Sequence, residues 1–239
     1  MKLFGKKSIN PLLVDIHSHL IPNIDDGSQS LEQSIGMINE LISIGFKKLI
    51  TTPHIHPRYP NTTEIIMSGL KELQVEIKRK KMDVEIEAAA EYYVDEVFYA
   101  KLSSDEPILS FGDRYVLVES SFVNKPVFFE SVMFDLQSKG YRPVLAHPER
   151  YQFLEGRIDW LEELKSMGVL FQVTLGSIGG YYGAMPQEIG RRLLQKEMVD
   201  FLGSDLHRET HLEFLKKGMK SKEVQKCINQ NRLKNKELL

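Results

Sequence analysis

The chain reads as an α/β protein, a closed or nearly closed barrel of about seven strand–helix units. Three observations predict this. Short apolar runs alternate with longer amphipathic ones, which implies parallel strands covered by helices. The 239 residues are 42% hydrophobic and 27% charged, which suits one globular unit of the size that single α/β barrels reach. Histidines and carboxylates gather at the C-terminal ends of the strand candidates, where such barrels place their sites.

The elements follow in order. Strand Leu12–His17 leads to helix Leu31–Ile44, with Ser28 and Ser30 as N-cap candidates and Gly45 as its stop. Strand Lys48–Thr52 precedes helix Glu64–Lys81, and strand Val84–Ala88 precedes helix Asp95–Lys101. Strand Tyr115–Glu119 leads to helix Pro126–Lys139, closed by Gly140. Strand Pro143–Ala146 leads to Asp159–Met167, closed by Gly168 in the same way. Strand Leu170–Val173 precedes helix Pro186–Lys196, and strand Val199–Gly203 precedes a last helical stretch from near Thr210. No Pro/Gly/Ser-rich linker divides the chain, so 1–239 is expected to be one domain, with 1–11 a flexible extension.

Bulk properties exclude several classes. A formal net charge of −2 gives no basic field for nucleic acid. Met1 to Lys7 is mildly basic but lacks the apolar core of a signal peptide, and no apolar run is long enough for membrane insertion. Cys227 is the sole cysteine, which excludes an internal disulfide framework and makes the cytoplasm the expected compartment.

The chemistry sits at the strand ends. His17 and His19 lie two apart after Leu12-Leu13-Val14, and on a strand residues two apart share a face. Two imidazoles aimed at one point make half of a transition-metal site. Asp26, Thr52-Pro53-His54, Glu87 and Glu91, Glu119, His147-Pro148-Glu149-Arg150 and Ser204-Asp205-Leu206-His207 fall at or just beyond the other strand ends. Six of the seven histidines belong to this set or follow it closely. Mixed imidazole and carboxylate donors without thiolate suit manganese, iron or zinc in a hydrolytic site rather than a structural zinc. The donors exceed what one ion needs. Two or three ions sharing a bridging carboxylate account for them, the equipment of phosphate-ester hydrolysis.

His17-x-His19, Asp25-Asp26-Gly27, Thr52-Pro53-His54, Glu91, Glu119, Ala146-His147-Pro148-Glu149-Arg150 and Ser204-Asp205-x-His207 together resemble the polymerase and histidinol phosphatase (PHP) superfamily. More narrowly they resemble its manganese-dependent protein tyrosine phosphatases of bacterial capsule and exopolysaccharide operons. The resemblance runs from Leu13 to His207 in matching order. It implies a distorted (β/α)7 barrel of the PHP type. It implies one ion on His17, His19, Glu91 and Asp205, a second on Glu91, Glu119 and His147, and a third on Asp26, His54 and His207. It implies manganese first, with iron or zinc as alternatives, and attack of a metal-bound hydroxide on phosphotyrosine. Arg150 matches the phosphate-contacting arginine, its alternative being an ion pair with Glu149, and Arg208 is a second candidate. The implied partner is a phosphotyrosine protein, a bacterial tyrosine kinase with a tyrosine-rich tail. A histidinol phosphatase, a nuclease or a silent scaffold on the same barrel remain alternatives.

Some residues stand apart. Tyr92 follows Glu91 as in the family pattern, so Glu91 is preferred over Glu87 as the bridging ligand. His56 and His211 have no assigned role. The stretch Gly176 to Gly183 lacks the P-loop lysine and reads as a mobile lid or wall. Tyr59, Tyr92, Tyr181 and Tyr182 are expected to ring the mouth and stack on a phosphotyrosine. Cys227 has no preceding histidine or glycine-shaped loop, so a thiolate phosphatase is disfavoured and it reads as a helix residue.

Overall fold

The computed structural model describes residues 11–104 and 106–239. The extension expected over 1–11 therefore lies, but for residue 11, outside the described residues. The parallel strands are β1 (Val14–Asp15), β2 (Lys48–Thr51), β3 (His54–Ile55), β4 (Glu85–Ala88) and β5 (Glu91–Tyr93). They continue as β6 (Tyr115–Glu119), β7 (Arg142–Ala146), β8 (Leu170–Thr174) and β9 (Phe201–Gly203). The described residues form one sheet ordered β1-β2-β4 and another ordered β3-β5-β6-β7-β8-β9. β3 resumes the line of β2 after Pro53, and β5 resumes that of β4 after Ala89-Ala90. Proline has no N–H for a ladder, which explains the first break. Two bonds carry the pairing across both breaks, Ala89 N to Thr51 O at 2.9 Å and Glu91 N to Pro53 O at 3.1 Å. Seven strand positions result, in agreement with the sequence reading.

The curl is not a closed ladder. Among the described residues β1 and β9 meet at an isolated parallel bridge, Ser18–Leu206. Side chains secure the rest of this seam. The Ser204 amide and hydroxyl donate to Asp15 at 2.8 and 2.6 Å. Buried Asn235 donates to the carbonyls of Val14 and Leu202 at 3.0 and 2.7 Å and accepts from Leu202 N at 3.0 Å. Inside the curl Val14, Ile16, Ile50, Leu117, Val144, Ala146 and Phe201 form one apolar core. A second, larger core lies between the strands and the helices.

Helices α1 (Leu31–Ile44), α2 (Thr63–Arg79), α3 (Glu96–Leu102), α4 (Phe129–Ser138) and α5 (Asp159–Ser166) follow their strands. Ser30 caps α1 and Gly45 ends it at φ 111°, as its sequence predicts. After β8 come α6 (Leu175–Gly179) and α7 (Ala184–Gln195), then α8 (Leu212–Met219) and α9 (Lys222–Asn229). The glycine-rich stretch is thus not a mobile lid. Its first half is buried α6, and a Cβ on Gly179 would stand 2.0 Å from the Phe214 carbonyl of α8. It is a packed wall. No helix of the described residues is long and apolar enough to cross a membrane.

Candidate metal centre

The C-terminal strand ends converge on Glu91, at the start of β5. This carboxylate is fully buried. Its Oε2 lies 3.2 Å from His17 Nε2, 3.5 Å from His19 Nε2 and 3.2 Å from His54 Nδ1, and its Oε1 lies 2.9 Å from His147 Nε2. Oε2 makes no hydrogen bond of acceptable geometry among the described residues. Asp205 Oδ1 approaches His17 and His19 Nε2 at 3.4 and 3.6 Å, and the two Nε2 atoms are 3.3 Å apart. An ion about 2.1 Å from four tetrahedral nitrogen and oxygen donors sets them about 3.4 Å apart. His17, His19, Glu91 and Asp205 match that spacing.

The imidazoles are oriented from behind. His17 Nδ1 donates to Gln172 Oε1 and His19 Nδ1 to Asp25 Oδ2, both at 2.8 Å, and His207 Nδ1 donates to the Asp205 carbonyl at 3.1 Å. Each Nε2 lone pair is then turned towards the centre, the usual outer-shell arrangement of metal-bound histidine. Asp25 also accepts from Gly27 N and His54 N, at 2.9 and 3.1 Å. Only glycine fits at position 27, because a Cβ would stand 2.3 Å from His19 Cβ.

The charge balance points the same way. Burial pulls the His19 imidazole down, but Asp25, Asp205 and Glu91 outweigh it and hold it well above its ordinary value. Burial likewise opposes the His17 and His54 imidazoles, yet the carboxylates raise both, His54 to about 10. Burial would raise Glu91 and Asp205, but the histidines around them push both well below the carboxylate range. The cluster demands positive charge, and protons or metal cations satisfy it. These donors fit metal ions.

The structure brings the nine sequence-predicted ligands together, with some regrouping. His17, His19 and Asp205 form one set, and His17, Glu91 and His147 another. Asp26, His54 and His207 are joined by His19. Glu119 lies 3.1 Å from His54 Nδ1 and 3.9 Å from His147 Nε2, nearer His54 than the expected grouping. Regular strand pairing stops at Asp15, so period-two geometry does not hold His17 and His19. Backbone anchors do: Asp205 N to His17 O at 2.7 Å, His19 N to Leu206 O at 3.0 Å and Thr52 N to Ser18 O at 2.7 Å.

A cavity of about 330 Å3 opens over these groups. Arg150 lines it, between the rings of Tyr182 at 4.0 Å and Phe122 at 4.6 Å. Its Nη1 donates to Asp205 Oδ2 at 2.6 Å, which replaces the alternative pairing with Glu149. Glu149 instead accepts from Thr174 N at 3.0 Å, and burial pushes its carboxyl up to about 7. Arg208 is exposed and does not line the cavity, whereas Arg58 does. Glu87 sits half-buried on the far side, paired with Lys48 at 2.7 Å.

The tyrosine ring is only partly as expected. Tyr59 lines the cavity and stacks on His54 at 5.7 Å. Tyr182 faces Arg150, while Tyr181 packs on His211 and Phe214. Tyr92 points away. Strand alternation sends it opposite to Glu91, fully buried and stacked on Phe98. Sequence reasoning missed Phe122 and Tyr93, which line the cavity, and the orienting Gln172. Cys227 is buried in α9, where burial raises its thiol, and is not among the residues that line this cavity.

Fold and donors together define an α/β protein with a buried imidazole–carboxylate cluster, fit for metal ions, at its strand ends. Residues 13–235 match the capsular polysaccharide synthesis family CpsB/CapC, and the chain belongs to it. It is 29% identical over 206 residues to CapC of Staphylococcus aureus, spanning 86% of this chain and 81% of that protein. It is 30% identical over 200 residues to the tyrosine-protein phosphatase YwqE of Bacillus subtilis, spanning 82% of this chain and 77% of YwqE. A crystal structure solved for the pair YwqE and Streptococcus pneumoniae CpsB, metal-dependent tyrosine phosphatases, superposes with a TM-score of 0.83. That match covers 95% of this chain and 94% of the other at 27% identity.

Proposed function

We propose that this chain is a metal-dependent protein-tyrosine-phosphatase, hydrolysing phosphotyrosine on a tyrosine kinase of capsule or exopolysaccharide synthesis, in the cytoplasm. The observation that carries the reading is Glu91, a buried carboxylate facing four imidazoles with one oxygen left without a hydrogen bond. The activity named for YwqE supports the substrate class. Two or three manganese ions are the proposed cofactors. His17, His19, Glu91 and Asp205 would hold one, Glu91, Glu119 and His147 a second, and Asp26, His54 and His207 a third. Bound ions lower the pKa of a coordinated water towards neutrality and offset charge on the phosphoryl oxygens.

The chain's own groups bind and orient the ester. Arg150 lies over the rings of Phe122 and Tyr182 with one nitrogen on Asp205, so its other donors serve a dianionic phosphate. Tyr59 gives the phenyl ring of the substrate a face at the cavity's edge. No side chain has to act as the nucleophile.

Chelation tests the reading. Stripped protein should lose turnover of a phosphotyrosine peptide, and manganese should restore it better than iron or zinc. Cys227→Ser should leave the rate near wild type. Turnover without metal, or a large loss with that variant, overturns the proposal. At equal metal, kcat/KM should favour the phosphotyrosine peptide over a phosphoserine peptide, histidinol phosphate and a single-stranded oligonucleotide.

A further inference from the structure

A second, larger cavity of about 690 Å3 lies beside the metal cavity, between α3 and the segment that joins β3 to α2. We infer that it is a subsite for an apolar side chain flanking the phosphotyrosine of a peptide substrate, an inference that rests on the phosphatase reading above. Its volume falls within the roughly 300–1,000 Å3 of ligand pockets. It is continuous with the candidate site. His56 and Tyr93 line both cavities, and their rings meet edge to face at 4.4 Å as the wall between them.

The chemistry selects the occupant. Ile55, Pro57, Pro60 and Pro107 offer the apolar surface, Tyr92 and Phe98 lie buried beneath it, and Val97 stands at the edge, 73% exposed. Three of the four acidic and basic residues in the lining are already engaged, and the fourth, Glu64, is exposed in the first turn of α2. Lys101 pairs with Glu106 at 2.7 Å, and Asp95 caps α3 by accepting from Phe98 N at 2.8 Å. Most of what remains open is apolar surface, and an isolated small ester would not reach it. The wall is one pair of rings thick, and an extended chain advances about 3.3–3.6 Å per residue. The occupant therefore lies within about three residues of the phosphotyrosine.

The experiment uses phosphotyrosine peptides with alanine on both flanks and a single leucine moved through the three positions on each side. Holoenzyme should show a KM about tenfold lower with leucine at one or two positions, and kcat little changed, the size expected for burying such a side chain. The second enzyme is Val97→Asp. Asp is favourable in the first turn of α3, so the helix is kept. In this variant the leucine-to-alanine ratio of kcat/KM should collapse to near one, and lysine at the same position should recover part of it. A wild-type KM indifferent to leucine at every position overturns the subsite, as does a leucine preference that survives in Val97→Asp. Failure of wild type to hydrolyse both the alanine-flanked peptide and a small aryl phosphate overturns the phosphatase reading itself, and the subsite with it.

Discussion

The two ends of the parallel strands carry the same kinds of charged residue and use them in opposite ways. At the N-terminal end Lys48 reaches Glu87 at 2.7 Å and Glu85 at 3.2 Å, and Arg142 reaches Asp113 at 2.8 Å. Each base has its acid, and each pair touches water. At the C-terminal end His17, His19, Glu91 and Asp205 are 0–1% exposed and crowd together. Burying charge costs several kcal/mol per ion unless it is fully paired. Left-handed backbone does not separate the ends, since His147 (φ 34°) and Asp205 (φ 50°) at this one are matched by Leu13 (φ 70°) and Arg114 (φ 58°) at the other; buried charge does. One end is built as a lid on the fold. The other concentrates buried negative charge that protons or metal cations must offset.

Changes at the C-terminal end should therefore cost chemistry. The largest effect is expected from Asp205→Asn, which removes the charge shared by His17, His19 and Arg150. Outer-shell changes alone cost about 10–100-fold, so this loss in kcat/KM should exceed about 100-fold. Elemental analysis should show less metal per chain. Full metal content at a normal rate would break the contrast between the two ends.

Arg150→Ala should come next, with a loss on the order of 10²-fold, as for a removed charge-stabilising donor. Metal content should stay near wild type, which separates this residue from the ligands. Arg150→Lys should fall between, because an ammonium keeps the charge but lacks the planar fork that sits over Phe122 and Tyr182. An alanine variant that loses its metal would assign Arg150 to holding Asp205 rather than to substrate.

Asn235→Ala should reverse the signature at the N-terminal end. It leaves three backbone groups of the β1–β9 seam without a partner, which costs about 2–4 kcal/mol. The Tm should drop on the order of 10 °C. The kcat of the folded, metal-loaded fraction should hold. Lost activity with an unchanged Tm would show that the seam serves the site rather than the fold.

The same contrast explains what the sequence made legible. The ligands stood out because the histidines are only seven and fall, with carboxylates beside them, at strand ends, in short motifs such as His17-x-His19 and His147-Pro148-Glu149-Arg150. Their orienting partners did not, because those contacts are long-range. His17 meets Gln172 across 155 positions, and Asp15 meets Ser204 across 189. Tyr92 misled for the opposite reason. Next to Glu91 in the chain, it belongs to the other face of the strand. The strand count was legible from apolar runs, but not the breaks at Pro53 and Ala89-Ala90, nor the seam that side chains close. Gly176 to Gly183 looked open because glycine signals loops, yet Gly179 is there so that α6 and α8 can touch.

The smallest effect sharpens the comparison most. Glu87→Gln removes one half-buried partner of Lys48, which keeps Glu85 at 3.2 Å. Such pairs contribute about 0–1 kcal/mol, so the Tm should move by less than about 3 °C. Rate and metal content should match wild type, because Glu87 lies on β4, four residues before Glu91 and at the opposite end of the strand line. Glu91→Gln, the same exchange of one carboxylate oxygen for an amide nitrogen, should lower both as Asp205→Asn does. The pair of variants reads position alone, since the chemistry of substitution is identical. Equal losses from the two would mean that both carboxylates serve the metals, and that the ends of this sheet are not separate in function.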